Sequence, residues 1–456
     1  MKFELSLAWF GAHGIVLLFF LSLLSPVALL ASERVPKRAA LKSTVSMREA
    51  VLFALKANPT LGAQAASSRA ATAGRKAARG AFGPKLGIVY TAMKQERESE
   101  PTPTKTPELG SYSLGFEVSQ PVFQGFRLLA AYQKAALEEE SNALALKNSR
   151  LQVIESVQTS FISLLRSQEN CKSQREALDR LRDQLEITRG YYLAGLKPKL
   201  DVLQAEVDFR EAERLLLQIE HSRDTESARL NTLLGLSANA HLTYKGTLGY
   251  VPFADSLETC LERAYRNRPD LRMAALSVAI AGKDQKSVQA GYYPHIEAYY
   301  NMTNAGNTPL LKREGENGSR YTSWEVGARA TWDVFQFGTT YYADKQAGEL
   351  VTRMRYEENE LRLKVGYDLK TKYLALREAK KRISAAKASV ASADEAYRAA
   401  LARYREQVGT GFDVLDTSSK LTTARFSLSS AYADYLTALA QLYTAMGEEH
   451  PGILYE

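Results

Sequence analysis

The chain has 456 residues, 45% hydrophobic and 24% charged, with a formal net charge of +8. This composition is globular, long enough for two or three ordinary domains, and it excludes a low-complexity or collagen-like chain. The basic residues are scattered rather than grouped into a Lys/Arg block, so no nucleic-acid arm is expected.

The first residues read as an export signal. Lys2 precedes the short apolar run Ile15–Leu24, then Ser25-Pro26 and "VALLAS", where Ala31 ends a small-residue cleavage site. Residues 1–31 are therefore expected to be a signal peptide. The apolar run falls well short of the roughly twenty residues that a membrane-spanning helix needs. The two cysteines are far apart; Cys171 falls on a helix seam, where it reads as a small buried hydrophobe.

Beyond the signal the chain repeats itself. "AVLFALKANPTL" from residue 50 matches "CLERAYRNRPDL" from residue 260, about 210 residues further on. In the same order "AFGPKLGIVY" matches "GYYPHIEAYY", "PVFQGF" matches "DVFQFG", and "YYLAGLKPKLDVLQAE" matches "RYREQVGTGFDVLDTS". The expected organisation is repeat 1 over 32–245 and repeat 2 over 246–456. Each opens on a short helix with a capping box, expected at Ser46/Glu49 and at Asp255/Glu258. A second helix follows Asn58-Pro59 or Arg268-Pro269.

Two strands come next in each repeat, at about 84–97 and 111–122, then at about 294–304 and 321–335. In "SWEVGARATWDVFQ", Trp324, Val326, Ala328, Ala330 and Trp332 share one parity, while Glu325, Gly327, Arg329, Thr331 and Asp333 share the other. The ribbon has one apolar and one polar side. Trp324 and Trp332 would stand roughly 26 Å apart along a strand. After tilting, that becomes roughly 20 Å of depth, close to the aromatic girdles of outer-membrane barrels. A soluble hairpin packed on a helix would also alternate.

A very long helix follows the strands, at about 128–192 and again at about 340–405. In the first, Val157, Leu164, Cys171, Leu178, Leu185 and Tyr192 recur every seventh residue, as in a coiled-coil seam. Such a helix spans roughly 97 Å, and the returning helix after "AGLKPKLD" or "VGTGFD" covers only roughly 52 Å. The helix before the strands supplies the difference if it stacks end to end on the returning one.

The paired "NP" and "RPDL" openings, the "VFQ" after each second strand and the doubled "G…DVLxA" turn resemble the TolC family of outer membrane efflux proteins. The resemblance covers residues 45–450, in two copies. It implies a fold that is mainly α with a membrane β-barrel: a homotrimer whose four strands per chain make a twelve-stranded barrel, continued by an α-helical tunnel through the periplasm of a Gram-negative bacterium. It further implies outer membrane lipid, a periplasmic adaptor and an inner-membrane pump or ABC exporter as partners, with small toxic compounds or proteins as cargo. Asp413 and Asp416 match the aspartates that ring the periplasmic entrance of such channels. The alternative is that these two acids merely complement the dipole of their helix. The first copy keeps Asp201 but has Gln204 where the second has Asp416, and "VGTGF" offers no counterpart of the family's basic gate residue. Gly195, Asp201, Gly409 and Gly411 fall in the two turns that the resemblance assigns to adaptor docking. Glu325, Arg329 and Asp333 would line the barrel lumen, and Trp324 and Trp332 would face lipid.

No enzyme, metal or cofactor is expected. Gly282-Lys283 has Ser277 where a phosphate loop needs glycine and Asp284 where it needs Ser or Thr. The five histidines show no ligand spacing. The competing reading is a non-conducting periplasmic coiled-coil protein, which leaves the apolar strand faces unexplained.

Overall fold

The computed structural model describes residues 44–95, 109–309, 311, 320–450 and 452–453. The expected signal segment 1–31 lies outside the described residues, as do most of the two loops between paired strands.

Strand β1 (Thr44–Val45) leads into helix α1 (Met47–Ala57) and helix α2 (Pro59–Gly80). Strands β2 (Lys85–Gln95) and β3 (Leu109–Gln124) follow, then the long helix α3 (Arg127–Leu193) and the returning helix α4 (Lys199–Leu233). The order repeats: β4 (Thr243–Tyr244), α5 (Leu257–Asn267), α6 (Pro269–Gln289), β5 (His295–Gly306), β6 (Arg320–Thr331), the long α7 (Thr339–Arg405) and the returning α8 (Gly411–Ala445). β1 and β4 form a short parallel pair, with Thr44 opposite Thr243.

Helix ends follow the local chemistry. Ser46 and Glu49 form the expected capping box. In the second copy a single cap stands in place of the expected box: Ser256, not Asp255, caps α5 by accepting from the Thr259 amide at 3.2 Å. Asp255 is left outside the helix, where it takes a 2.9 Å hydrogen bond from Arg263. A serine one residue closer to the first turn thus displaces the expected acid as cap.

The shorter helices stack in pairs to match the long ones. Asn58 sits at the joint of α4 and α2: its Nδ2 donates to the Leu233 carbonyl and its Oδ1 accepts from the Thr60 amide, each at 2.8 Å. Gly235 (φ +73°) turns the chain away there, and a Cβ on it would lie 2.6 Å from the Ala57 carbonyl oxygen. Arg268 holds the equivalent joint of α8 and α6, donating to the Ala445 carbonyl at 3.3 Å and to Asp270 at 2.6 Å. Gly447 (φ +73°) takes the place of Gly235, and a Cβ on it would lie 2.8 Å from the Asn267 carbonyl carbon and 2.9 Å from the Arg268 amide nitrogen. At both joints the carbonyl end of one helix meets the amide end of the next, so their dipoles run head to tail.

Each long helix of 67 residues spans about 100 Å. The α2/α4 stack packs on α3, α3 packs on the α6/α8 stack, and that stack packs on α7. The result is a wall with an α2/α4 edge and an α7 edge. Its interior holds the seam read from the sequence: Val157, Leu164, Cys171, Leu178 and Leu185 of α3 are buried, together with Phe161 of α3 and Leu436, Leu439 and Leu442 of α8. Tyr192, expected on that seam, is exposed instead, because the helix is within two residues of its end at Leu193. Cys171 and Cys260 are both buried and unpaired.

Candidate functional site

Strands β2, β3, β5 and β6 form one antiparallel sheet in that order. The second strand of the first copy therefore pairs with the first strand of the second. Register fixes which side chains share a row. Leu86, Val118, Tyr300 and Val326 lie side by side across the four strands, and so do Ile88, Phe116, Met302 and Trp324. Side chains alternate along each strand, so the opposite face carries Gly87, Glu117, Asn301 and Glu325 in one row and Ser119, Tyr299 and Gly327 in another. The apolar face is bare: Ile88, Trp324 and Val326 are 76%, 63% and 69% exposed. Among the described residues β2 and β6 each pair on one side only.

Glu325 and Arg329 stand on the polar face of β6 as expected, and they do not pair with each other. Glu325 accepts from Asn301 at 2.8 Å, and Arg329 lies over the Tyr299 ring at 5.4 Å. Asp333 and Trp332 depart from the expectation. β6 ends at Thr331, four residues short of the expected boundary. Asp333 is held in the following turn by Gln336 at 2.9 Å, and the Trp332 indole N–H donates to the Tyr292 carbonyl at 3.3 Å. The partner strand β5 begins at His295, opposite Thr331, and is preceded by a helical turn at Ala290–Tyr292, so the ladder offers no partner further on and neither residue occupies a strand position. In β3 the pairing shifts between Pro121 and Phe123; proline has no amide to give the ladder, and a bulge absorbs the mismatch.

The reversals at the far ends of α3 and α7 differ in detail. Gly195 (φ +73°) closes α3, with the Leu196 amide donating to Tyr191 O at 2.9 Å. In the second turn the left-handed position is occupied by Gln407 (φ 63°), not by Gly409 or Gly411. Gly409 is needed for proximity instead: a Cβ there would come within 3.2 Å of the Arg403 Cβ and the Tyr404 amide nitrogen. Gly411 opens α8, and Asp201 lies in the first turn of α4.

Asp413 and Asp416 both sit in the opening turns of α8. Asp413 closes a capping box with Thr410, accepting from its backbone N–H at 3.1 Å and its hydroxyl at 2.8 Å. Those two bonds hold its carboxyl below the usual aspartate range, the hydroxyl contributing most. Asp416 takes a 2.7 Å ion pair from Lys420, one turn on. Capping is therefore one role of Asp413, and Asp416 has a basic neighbour that the turn sequence alone does not offer.

Two further groups near this end escaped the sequence reading. Tyr404 is buried against Thr188 at 3.0 Å between hydroxyls, and burial raises its phenol pKa. Arg180 reaches from α3 to the Ser418 and Thr422 hydroxyls of α8 at 3.2 and 2.8 Å, with Tyr397 of α7 5.5 Å away. The neighbouring Arg425 pairs with Glu176. Neither has a local signature, because each works across helices distant in sequence. Among the described residues no cluster of three His, Cys, Asp or Glu could hold a metal, and no helix is long and apolar enough to cross a membrane.

A family profile described as outer membrane efflux protein matches residues 53–236 and 260–448. The chain is 25% identical over 396 residues to outer membrane protein TolC of Vibrio cholerae, covering 86% of this chain and 88% of that protein. It is 22% identical over 402 residues to the alkaline protease secretion protein AprF of Pseudomonas aeruginosa, covering 86% and 82%. Among solved structures, the outer membrane protein VceC of Vibrio cholerae superposes with a TM-score of 0.73 at 18% identity, covering 88% of this chain and 96% of that one. The CmeC outer membrane channel of Campylobacter jejuni gives 0.77 at 14% identity, covering 88% and 85%.

Proposed function

Because this chain belongs to the outer membrane efflux protein family, we propose that it acts as a homotrimeric exit duct whose copies close one another's open edges. It is an outer membrane protein that serves efflux or type I secretion, as its family does.

The observation that carries the trimer is the coincidence of two incomplete edges in one chain. Among the described residues the sheet leaves β2 and β6 unpaired on their outer sides, and lipid does not tolerate open strand edges. The helical wall leaves α4 and α7 uncovered at its two ends. Leu200, Leu203, Val207 and Leu217 stand exposed on α4, and Tyr356, Leu363, Tyr367 and Leu374 on α7. Three copies joined edge to edge would complete a twelve-stranded barrel and cover both helical stripes. The rows containing Ile88, Phe116 and Trp324 would then face lipid, and Glu325 and Arg329 would face the lumen. A periplasmic coiled-coil protein that does not conduct accounts for the helices but leaves an apolar sheet face in water.

At the far end we assign Gly195, Asp201, Gly409 and Gly411 to the docking tip for a periplasmic adaptor, which links the duct to an inner-membrane pump or ABC exporter. Asp413 and Asp416 from three copies would ring the entrance with six carboxylates, and acidic rings favour cations. The cargo is a small toxic compound or a protein: AprF is named for protease secretion, and another relative, SrpC of Pseudomonas putida, for solvent efflux. We assign the chain no catalytic role. Reconstitution into planar bilayers tests the duct. Cation-preferring conductance supports it, and sealed bilayers loaded with folded oligomer contradict it.

A further inference from the structure

A cavity of about 490 Å³ opens between the two reversals within one chain, lined among others by Gln184, Lys197, Asp201, Asp208, Tyr404 and Phe412. Its polar groups are unbalanced. Gln184 is 7% exposed, and its Oε1 has no hydrogen-bond partner among the described residues. Its amide nitrogen lies on the Gly411 side, so the unpartnered oxygen is the atom left for an occupant. A buried acceptor without a donor costs about 1–3 kcal/mol. Asp208 is half-buried, with no ion pair or hydrogen bond among the described residues, and burial raises its carboxyl pKa. Asp201 likewise has no side-chain partner among the described residues. Against these acceptors the cavity offers, among the described residues, one cation, Lys197, whose ammonium lies 5.8 Å from the centre of the Tyr404 ring.

We infer that this cavity binds an organic cation rich in N–H groups, a guanidinium or alkylammonium, with its charge at Asp208 and Asp201 and one N–H donated to Gln184 Oε1. A bare divalent metal fits poorly. The cavity is far wider than a coordination sphere, and its remaining walls are Leu181, Ala205, Leu415 and the Phe412 and Tyr404 rings. Aromatic and aliphatic walls suit a cation with a carbon skeleton, which gains from ring faces as well as from carboxylates. Such a cation comes from two sources, a free amine of the surroundings or an arginine or lysine side chain of a protein docked at the tip. The site belongs to one chain and holds whether or not the assembly conducts.

The test is calorimetric titration of the detergent-solubilised full chain with agmatine and, separately, with the blocked tripeptide acetyl-Ala-Arg-Ala-amide. Each probe that binds the wild type is expected to bind roughly tenfold or more weakly to Asp208→Asn, the loss typical of a charge-assisted hydrogen bond. Gln184→Leu should weaken binding as well, while Asp416→Ala, which leaves the Thr410–Asp413 cap beside the cavity intact, should bind normally. Binding of the tripeptide identifies a partner's side chain as the source, and binding of agmatine alone identifies a free amine. Absence of binding by both probes at about 1 mM, or affinity unchanged in Asp208→Asn, overturns the inference. Loss confined to Asp416→Ala also overturns it, because the cation then belongs to the entrance acids.

Discussion

Asn58 bridges two helices by donating to the Leu233 carbonyl at 2.8 Å from the same side chain that caps the Thr60 amide. One residue thus satisfies an orphan acceptor at the end of α4 and an orphan donor at the start of α2. Replacing it with alanine is expected to cost about 1–3 kcal/mol. Asn58→Asp keeps the cap but loses the donor, and should fall between. Denaturant unfolding of the three proteins checks the order; equal stability of wild type and alanine variant would show that the joint is held elsewhere.

Gly235 and Gly195 share a φ of +73° but differ in surroundings. A Cβ on Gly235 would overlap the Ala57 carbonyl, whereas nothing lies within 4 Å of one on Gly195. Gly195→Ala should therefore cost only the left-handed backbone penalty, about 1–2 kcal/mol. Gly235→Ala should cost clearly more, because the α4/α2 joint has to open. Comparable thermal shifts in the two variants would remove the steric part of this account.

Asp413 gains two hydrogen bonds on folding that hold its carboxyl below its ordinary range. A carboxyl depressed in the folded state stabilises above its unfolded pKa, about 3.9, and that contribution is lost as pH falls through the lower folded value. Asp413→Ala should reduce stability at neutral pH and flatten the acid limb of the stability profile below about pH 4. If Asp413 also rings the entrance, the Asp413→Ala, Asp416→Ala variant should lose cation preference in bilayers. Unchanged selectivity with a lower melting temperature would leave capping as its sole role.

Val326→Arg places a charge on the apolar face beside Tyr300. A lipid-facing charge near mid-depth of a barrel costs about 2–4 kcal/mol, and lumen positions tolerate polar change. The variant should lower the temperature at which the oligomer dissociates in gel assays, while Arg329→Gln should leave it nearly unchanged. The reverse order would mean that the faces are assigned the wrong way round.

Much of this architecture was legible in the sequence because long periods report on it. The seven-residue recurrence from Val157 to Leu185 and the alternation from Trp324 to Ala330 each follow from one element's geometry. The end-to-end stacking was legible from lengths alone. The misreadings sit at ends, where neighbours decide. Ser256 outcompetes Asp255 as a cap, and the close of β6 removes Trp332 and Asp333 from the strand. In the second reversal a non-glycine residue, Gln407, takes the left-handed conformation. Tyr404 against Thr188 and Arg180 against Thr422 were not legible, since no local pattern announces a contact between helices hundreds of residues apart.

Among the described residues the outer sides of β2 and β6 are unpaired, and apolar stripes on α4 and α7 are exposed. Light scattering of the full chain purified in mild detergent measures directly whether other copies cover them. A homotrimeric duct gives a monodisperse particle of three chains that heating converts to one. A stable, monodisperse single chain before heating would contradict it.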